Sequence, residues 1–510
     1  MTAQTATDLD SHAASFTATQ RYLTLITVVA ASSLYGTAIL TTSTILPQMQ
    51  GALSATQDEI AWVMTFNILA TAIVTPMTGW LTARFGAKRV MVWSIGLFTL
   101  ATVLCGMSQS LEMLVFWRIL QGGAGAPMVP LSQTIILNTF PRRQHTFVLG
   151  IFGMAVAVAP VVGPILGGYL ADAYSWRWAF YMLVPVGVVA LIGMQLTLRA
   201  DTLPPKVRFD WTGFLALATA LAALQLVLAR GVRLDWFAST EIIVECLVAA
   251  VAFYVFLFHS LTTREPFLNL KLLTDRNYAI GLVLVTIYGM LNFTPMVLLP
   301  PLLQQHVGFS DSLVGWVIGS RGIGMTIGFM SAGFMTRVDP RISMMFGFGL
   351  QTFAGLWMLT FDLNVTMEIL TLNSAVQGFA VGMVWVPMTI VAFDTLPAKD
   401  RAEASAVFHL LRNIGSSFFI SISIAEIVRT TVANYSRMTE MITPFNHALN
   451  VPGTIGAWSF DTLPGLAKLS NEIARQAAMI GYLNAFMMYT ATSALAVVLV
   501  SMVRRKKASA

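Results

Sequence analysis

The stretch Gly79-Trp-Leu-Thr-Ala-Arg84-Phe-Gly86-Ala-Lys88-Arg89 lies between two long apolar runs, and its outline returns late in the chain as Gly333-Phe-Met-Thr-Arg337-Val-Asp-Pro340. Working outward from it, other phrases prove to be doubled. Gln121-Gly-Gly-Ala-Gly125 pairs with Gln377-Gly-Phe-Ala-Val-Gly382, Asn138-Thr-Phe-Pro141 with Asp394-Thr-Leu-Pro397, and Ile45-Leu-Pro47 with Leu298-Leu-Pro300. A helix needs roughly 20 apolar residues to cross a bilayer, and fourteen runs of that kind can be marked along the chain. Every doubled phrase then joins one span to the eighth span after it.

That spacing predicts an all-α membrane protein of two six-helix bundles, with two extra helices between them. The expected limits are a cytoplasmic tail at 1–20, a first bundle at 21–198, the additional pair with its linkers at 199–276, a second bundle at 277–502 and a basic tail at 503–510. The second bundle includes an external loop at 429–477. Repeated halves are the mark of secondary transporters that rock about a central site. The chain carries no G-x-x-x-x-G-K-[ST] phosphate loop, so movement against a gradient must draw on an ion gradient, and without one the flux is passive.

Composition agrees. Apolar residues make up 56% of the 510 and charged residues 11%, against roughly 25% charged in soluble domains. The mean hydropathy is +0.72, too high over the whole length for a single anchor. The net charge of +6 is read as topology signalling, because no basic cluster is long enough for a nucleic-acid face. Most of the Lys and Arg fall in alternate short connections, on the side shared by Arg21 and the run Arg504–Lys507. This places both termini in the cytoplasm. The N-terminal tail lacks the basic region and short apolar core of a cleaved leader. Cys105 and Cys246, each within an apolar run, read as packing residues. No metal cluster or nucleophile–base constellation is found, so neither a cofactor nor an enzymatic activity is expected.

With these motifs in hand, the chain resembles the major facilitator superfamily over its whole length. Within it, the chain is similar to the fourteen-span drug:proton antiporters of the EmrB/QacA type, on the EmrB side. The loop Gly79–Arg89 resembles motif A, in which Gly79 and Gly86 permit a tight turn and Arg84, Lys88 and Arg89 can bond helix-end carbonyls. In the family this loop latches the outward-open state; here Ala83 stands where the motif has Asp. Arg118-Ile-Leu-Gln121-Gly122-Gly-Ala-Gly125 resembles motif B, whose arginine modulates a proton-binding carboxylate. Gly163-Pro164-Ile-Leu-Gly167-Gly168 resembles motif C, the antiporter signature. One departure stands out: Ala38 occupies the position of the family's first-span Asp, and the run Thr24 to Leu46 has no acid at all.

The resemblance implies export of small hydrophobic substrates in exchange for protons. It also implies a periplasmic membrane-fusion adaptor and an outer-membrane channel as partners of a bacterial inner-membrane protein. An uncoupled facilitator or anion exporter is the competing reading, kept open by Ala38. A charge within a span is costly and marks a functional candidate. Arg118, Arg321 and Arg412 are therefore assigned with Gln121 to the cavity, and Arg321 is expected to line it, paired with a carbonyl or an anionic substrate group. Glu426 and His409 are the coupling candidates. A cavity rich in arginine, without the first-span acid, favours neutral or weakly acidic compounds over cations.

Overall fold

The computed structural model describes residues 17–198, 208–336, 339–397, 400–443, 445–446 and 462–503. Residues 1–16 of the tail expected at 1–20, residues 504–510 of the tail expected at 503–510, residues 199–207 and the centre of the expected external loop lie outside the described residues, and the first helix already begins at Ala18. In chain order the first half contains α1 (Ala18–Thr44), the short α2 (Leu46–Ala52), α3 (Gln57–Val74) continued by α4 (Thr78–Phe85), and α5 (Ala87–Gly106). Then come α6 (Leu111–Gly125) continued by α7 (Met128–Thr139), α8 (Arg142–Ala173), the short α9 (Trp178–Tyr181) and α10 (Val184–Thr197). The extra pair is α11 (Trp211–Arg230) and α12 (Thr240–Thr262). The second half is α13 (Arg276–Pro301), α14 (Asp311–Met335), α15 (Pro340–Met358), α16 (Met367–Phe393), α17 (Arg401–Met441) and α18 (Leu463–Ser501).

Eleven helical runs have the length and hydropathy of a membrane span. The other crossings are α6–α7, the long α8, and α15. The backbone of α6–α7 stays in the right-handed helical region through Ala126 and Pro127, although the hydrogen-bond ladder is interrupted there. In α15, Ser343, Gly347, Gln351 and Gly355 recur every fourth residue on the buried face. That pattern lowers hydropathy while giving neighbouring helices a close seat.

The two halves repeat one packing scheme. α1 packs on α8 as α13 packs on α17, α3 on α6 as α14 on α16, and α5 on α10 as α15 on α18. α16 is the most enclosed span, with 83% of its central window buried, and α12 the least, with 11%. Between the bundles, α11 touches both α3 and α17, while α12 turns exposed side chains such as Leu247, Val251, Tyr254 and Phe258 outward.

The segment expected as an external loop at 429–477 is instead largely helical in its described parts. α17 runs on to Met441, and α18 starts at Leu463 behind the N-cap of Thr462. No proline falls between Arg429 and Met441 to end the first helix, and Pro464 sits in the first turn of α18, where the missing N–H costs nothing.

Contacts between the halves gather near the basic face, where α1 begins and α18 ends. Arg401 Nη1 donates to the Leu137 carbonyl (3.2 Å) and to Asn138 Oδ1 (3.1 Å). Ser405 Oγ donates to the Pro130 carbonyl at 2.9 Å. His409 Nε2 meets Gln133 Oε1. A Cβ on Gly79 would meet Glu403 Cβ at 2.8 Å, and one on Gly153 would meet Trp385 Cδ1 at the same distance. Among the described residues, the hydrogen bonds joining the two bundles directly all fall in this half of the molecule. The bundles are shut at the basic face.

At that face Asp210 ties the two extra helices to each other and to the connection that leads into α13. It caps α11 through the Gly213 amide (3.0 Å), accepts from the Phe267 amide (3.0 Å) and lies 2.9 Å from His259 Nε2. Burial pushes its carboxyl up, but the Gly213 amide, His259 and the Phe267 amide outweigh that and hold it below its ordinary value. Losing such a cap costs about 0.5–2 kcal/mol. Because the folded carboxyl is depressed, its contribution is present above the ordinary Asp range and is lost as pH falls through the lowered value. Asp210→Ala should therefore lower the thermal midpoint in detergent at neutral pH, and the two melting curves should converge in acid.

Candidate functional site

Three arginines lie inside the bundles, and none forms an ion pair among the described residues. Arg118 is fully enclosed. Its Nε donates to the Val63 carbonyl (3.3 Å), its Nη1 to Gln121 Oε1 (2.5 Å), and its Nη2 reaches Met64 Sδ at 3.7 Å. Gln121 Nε2 in turn donates to Thr102 Oγ1 on α5 at 2.7 Å. Asn67 on α3 completes the cluster by donating to the Arg118 carbonyl at 2.8 Å.

The second half holds the same cluster with its charge moved. Arg321 Nη1 donates to Gln377 Oε1 (2.6 Å) and Nη2 to the Asn292 carbonyl (2.9 Å). Gln377 Nε2 reaches Met358 Sδ, nineteen residues earlier, as Gln121 reaches Thr102 nineteen residues earlier. A Cβ on Gly122 would collide with the Asn67 carbonyl oxygen, and one on Gly378 with the Arg321 carbonyl oxygen. Arg321 therefore holds the place of Asn67, and Ser374 the place of Arg118. The glutamine keeps its task, while its guanidinium arrives from the neighbouring helix.

The third arginine lies between the halves. Arg412 donates from Nε and Nη2 to Asn413 Oδ1 (3.3 and 3.2 Å). Its guanidinium carbon sits 5.6 Å from the Trp385 ring centroid and 5.9 Å from that of Phe293. One turn earlier, His409 lies 5.7 Å from the Trp385 ring and bridges to Gln133 of the first half. The Tyr288 ring lies 5.1 Å from that of Trp385, tilted by 43°.

A family model of the Major Facilitator Superfamily matches residues 26–291 and 281–428. The chain belongs to the major facilitator superfamily. It is 35% identical over 404 residues to the multidrug export protein EmrB of Escherichia coli (strain K12), covering 79% of each chain. It is 28% identical over 463 residues to the fatty acid resistance protein FarB of Neisseria gonorrhoeae, covering 90% of each. Among solved structures, the human organic anion transporter MFSD10 superposes with a TM-score of 0.59 at 12% identity, covering 94% of this chain and 99% of that one. That likeness concerns the superfamily fold.

The superfamily motifs can now be placed. Gly86 joins α4 to α5 at φ 85°, a conformation that side chains beyond glycine resist. Lys88 Nζ donates to the Gln195 carbonyl in the last turn of α10 at 2.7 Å; Arg84 is half-buried and Arg89 exposed. Gly125 faces the Tyr35 ring. On α8, Gly163 and Gly167 receive Thr37 and Thr41 of α1, while Gly168 has only ordinary contact with Thr44; the Pro164 side chain lies outside those described. Thr37 Oγ1 also donates to the Ala159 carbonyl at 3.2 Å.

The structure brings together His409 and Arg412, and separately Arg118 with Gln121. Arg321 is enclosed in the second bundle, 2% exposed, and is paired with a carbonyl; it does not face the seam between the halves. Glu426 is apart from all of them, accepting from Thr430 Oγ1 at 2.9 Å, about 21 Å along α17 from Arg412 by helical rise. Glu245 is joined to Arg230 at 3.2 Å between the extra helices. Sequence reasoning did not single out Asn67, Gln133, Phe293, Gln377 or Trp385 as site residues. For Gln377 the signal was present, since it is the repeat partner of Gln121. Gly378→Val should force α14 off α16 at an overpacking cost of about 1–3 kcal/mol, read as a lower melting temperature in detergent; the same change at the open Gly349 should leave it nearly unmoved.

Proposed function

We propose that the protein is a multidrug efflux transporter of the inner membrane, exporting hydrophobic neutral or weakly acidic compounds in exchange for protons by alternating access. The relatives' names support export: multidrug export for EmrB and fatty acid resistance for FarB. The observation that carries the substrate class is the charge of the seam. Arg412 lies there with no ion-pair partner among the described residues, which disfavours organic cations and suits neutral or anionic polar ends. The placement of Lys and Arg supports a cytoplasmic basic face, and with that orientation the closed seam makes this the outward-facing state. The half-molecule domain limits given above belong to the same reading. So do a periplasmic adaptor, for which the helical extensions of α17 and α18 offer a surface, and an outer-membrane channel.

Two groups are proposed to carry the proton. His409 is buried beside the seam and joins the two halves through Gln133. Glu426 lies in the outer part of α17. A second reading, uncoupled export, is favoured by one observation: Ala38, where the antiporter pattern has its acid, is buried in α1 with no carboxylate on that helix. Proteoliposomes under a proton gradient separate the two. Adding a hydrophobic weak acid should move protons in the wild type, and His409→Asn or Glu426→Gln should abolish that movement. Substrate flux with no proton movement in the wild type would establish the uncoupled reading.

A further inference from the structure

The three intramembrane arginines differ in how fully their donors are used. In Arg118 each guanidinium nitrogen has a partner: a carbonyl, an amide oxygen and a thioether. In Arg321 both terminal nitrogens are bonded, and its Nε is sealed without one. Helix α16 is pressed against its backbone at Gly378. Neither has room for a further ligand. Arg412 is the exception. Two of its nitrogens share a single acceptor, the amide of the adjacent Asn413, and Nη1 has no hydrogen bond among the described residues.

From this difference we infer that Arg412 is the residue that binds the anionic oxygen of a transported aryl or acyl compound, with Trp385 and Phe293 forming the bed for its apolar body. This assignment rests on the efflux reading above and specifies its substrate contact. A guanidinium held against aromatic faces keeps its in-plane N–H groups for an oxygen pair. The surroundings are rich in donors and poor in acceptors. Trp385 Nε1 and Gln133 Nε2 are buried donors without a partner, and Gln133 is 0% exposed. An acceptor-bearing ligand satisfies such a set, whereas an organic cation does not.

Position agrees with chemistry. Arg401, Ser405 and His409 succeed one another along one face of α17, and each bonds the first half. Arg412 occupies the next turn, the first beyond that closure. By helical rise it stands about 16 Å from Arg401, close to the middle of a hydrocarbon layer about 30 Å thick. Substrate sites in repeat-built transporters lie at that depth. A lipid phosphate, confined to the headgroup layer, does not reach it.

The test compares 2,4,6-trichlorophenol, ionised at pH 8, with its methyl ether, by calorimetric titration of the full-length protein in detergent. The wild type should prefer the phenolate by about ten- to a hundredfold, the value of hydrogen bonds to a charged group. Arg412→Gln should remove that preference while leaving ether binding within about twofold; Arg412→Lys should keep part of it. Trp385→Phe should weaken both ligands together. Equal binding of phenolate and ether by the wild type would overturn the assignment even if no variant folded, as would a preference that survives Arg412→Gln. The efflux reading falls separately: Arg412-dependent binding without export of the phenolate from vesicles would refute export and leave the site standing, while unchanged export by Arg412→Gln would do the reverse.

Discussion

A guanidinium in a hydrocarbon layer must find hydrogen-bond acceptors or leave, and this chain keeps three of them there without a carboxylate partner among the described residues. The acceptors come from backbone carbonyls, amide side chains, a thioether and aromatic faces. Carbonyls of one helix are in reach of another only if the two backbones nearly touch, which is why Gly122 and Gly378 stand where Asn67 and Arg321 press against them. Small residues at the helix contacts and buried charge within them are thus one arrangement. A neutral acceptor stabilises a buried guanidinium without cancelling its charge, so the interior stays electropositive.

The repeat shows how this arrangement tolerates change. The glutamine, the glycine after it and the contact with the position nineteen residues earlier are kept in both halves, while the arginine has moved from the fourth helix of one bundle to the second helix of the other. The requirement lies on the cluster as a whole, which needs one guanidinium facing the glutamine oxygen. Either helix can supply it, because both α3–α6 and α14–α16 approach closely at the glycine after the glutamine. The halves have kept a common frame and diverged in the charge it carries.

Much of this was legible in the sequence. Doubled phrases such as Gln121–Gly125 and Gln377–Gly382 fix the two bundles, and Pro47 and Pro300 mark matching helix ends. The membrane makes this possible, since every backbone polar group must be met within a helix and apolar run lengths then count the crossings. What was not legible depends on side-chain direction. Arg321 and Arg412 look alike as lone charges in apolar runs, yet one is spent inside a bundle and the other is buried at the seam with a donor unused. The helical parts of 429–477 were hidden for another reason: they are polar, and helices outside the bilayer have no apolar run to announce them.

The extra helices have a mechanical consequence. α11 leans on α3 of the first bundle and on α17 of the second, and Asp210 and His259 fasten its base through the strand of chain leading into α13. On the opposite flank the bundles meet directly, α8 packing on α14. Two bodies strapped along one edge swing like the covers of a book about its spine. Any swing about that spine has to part the packed α8–α14 contact.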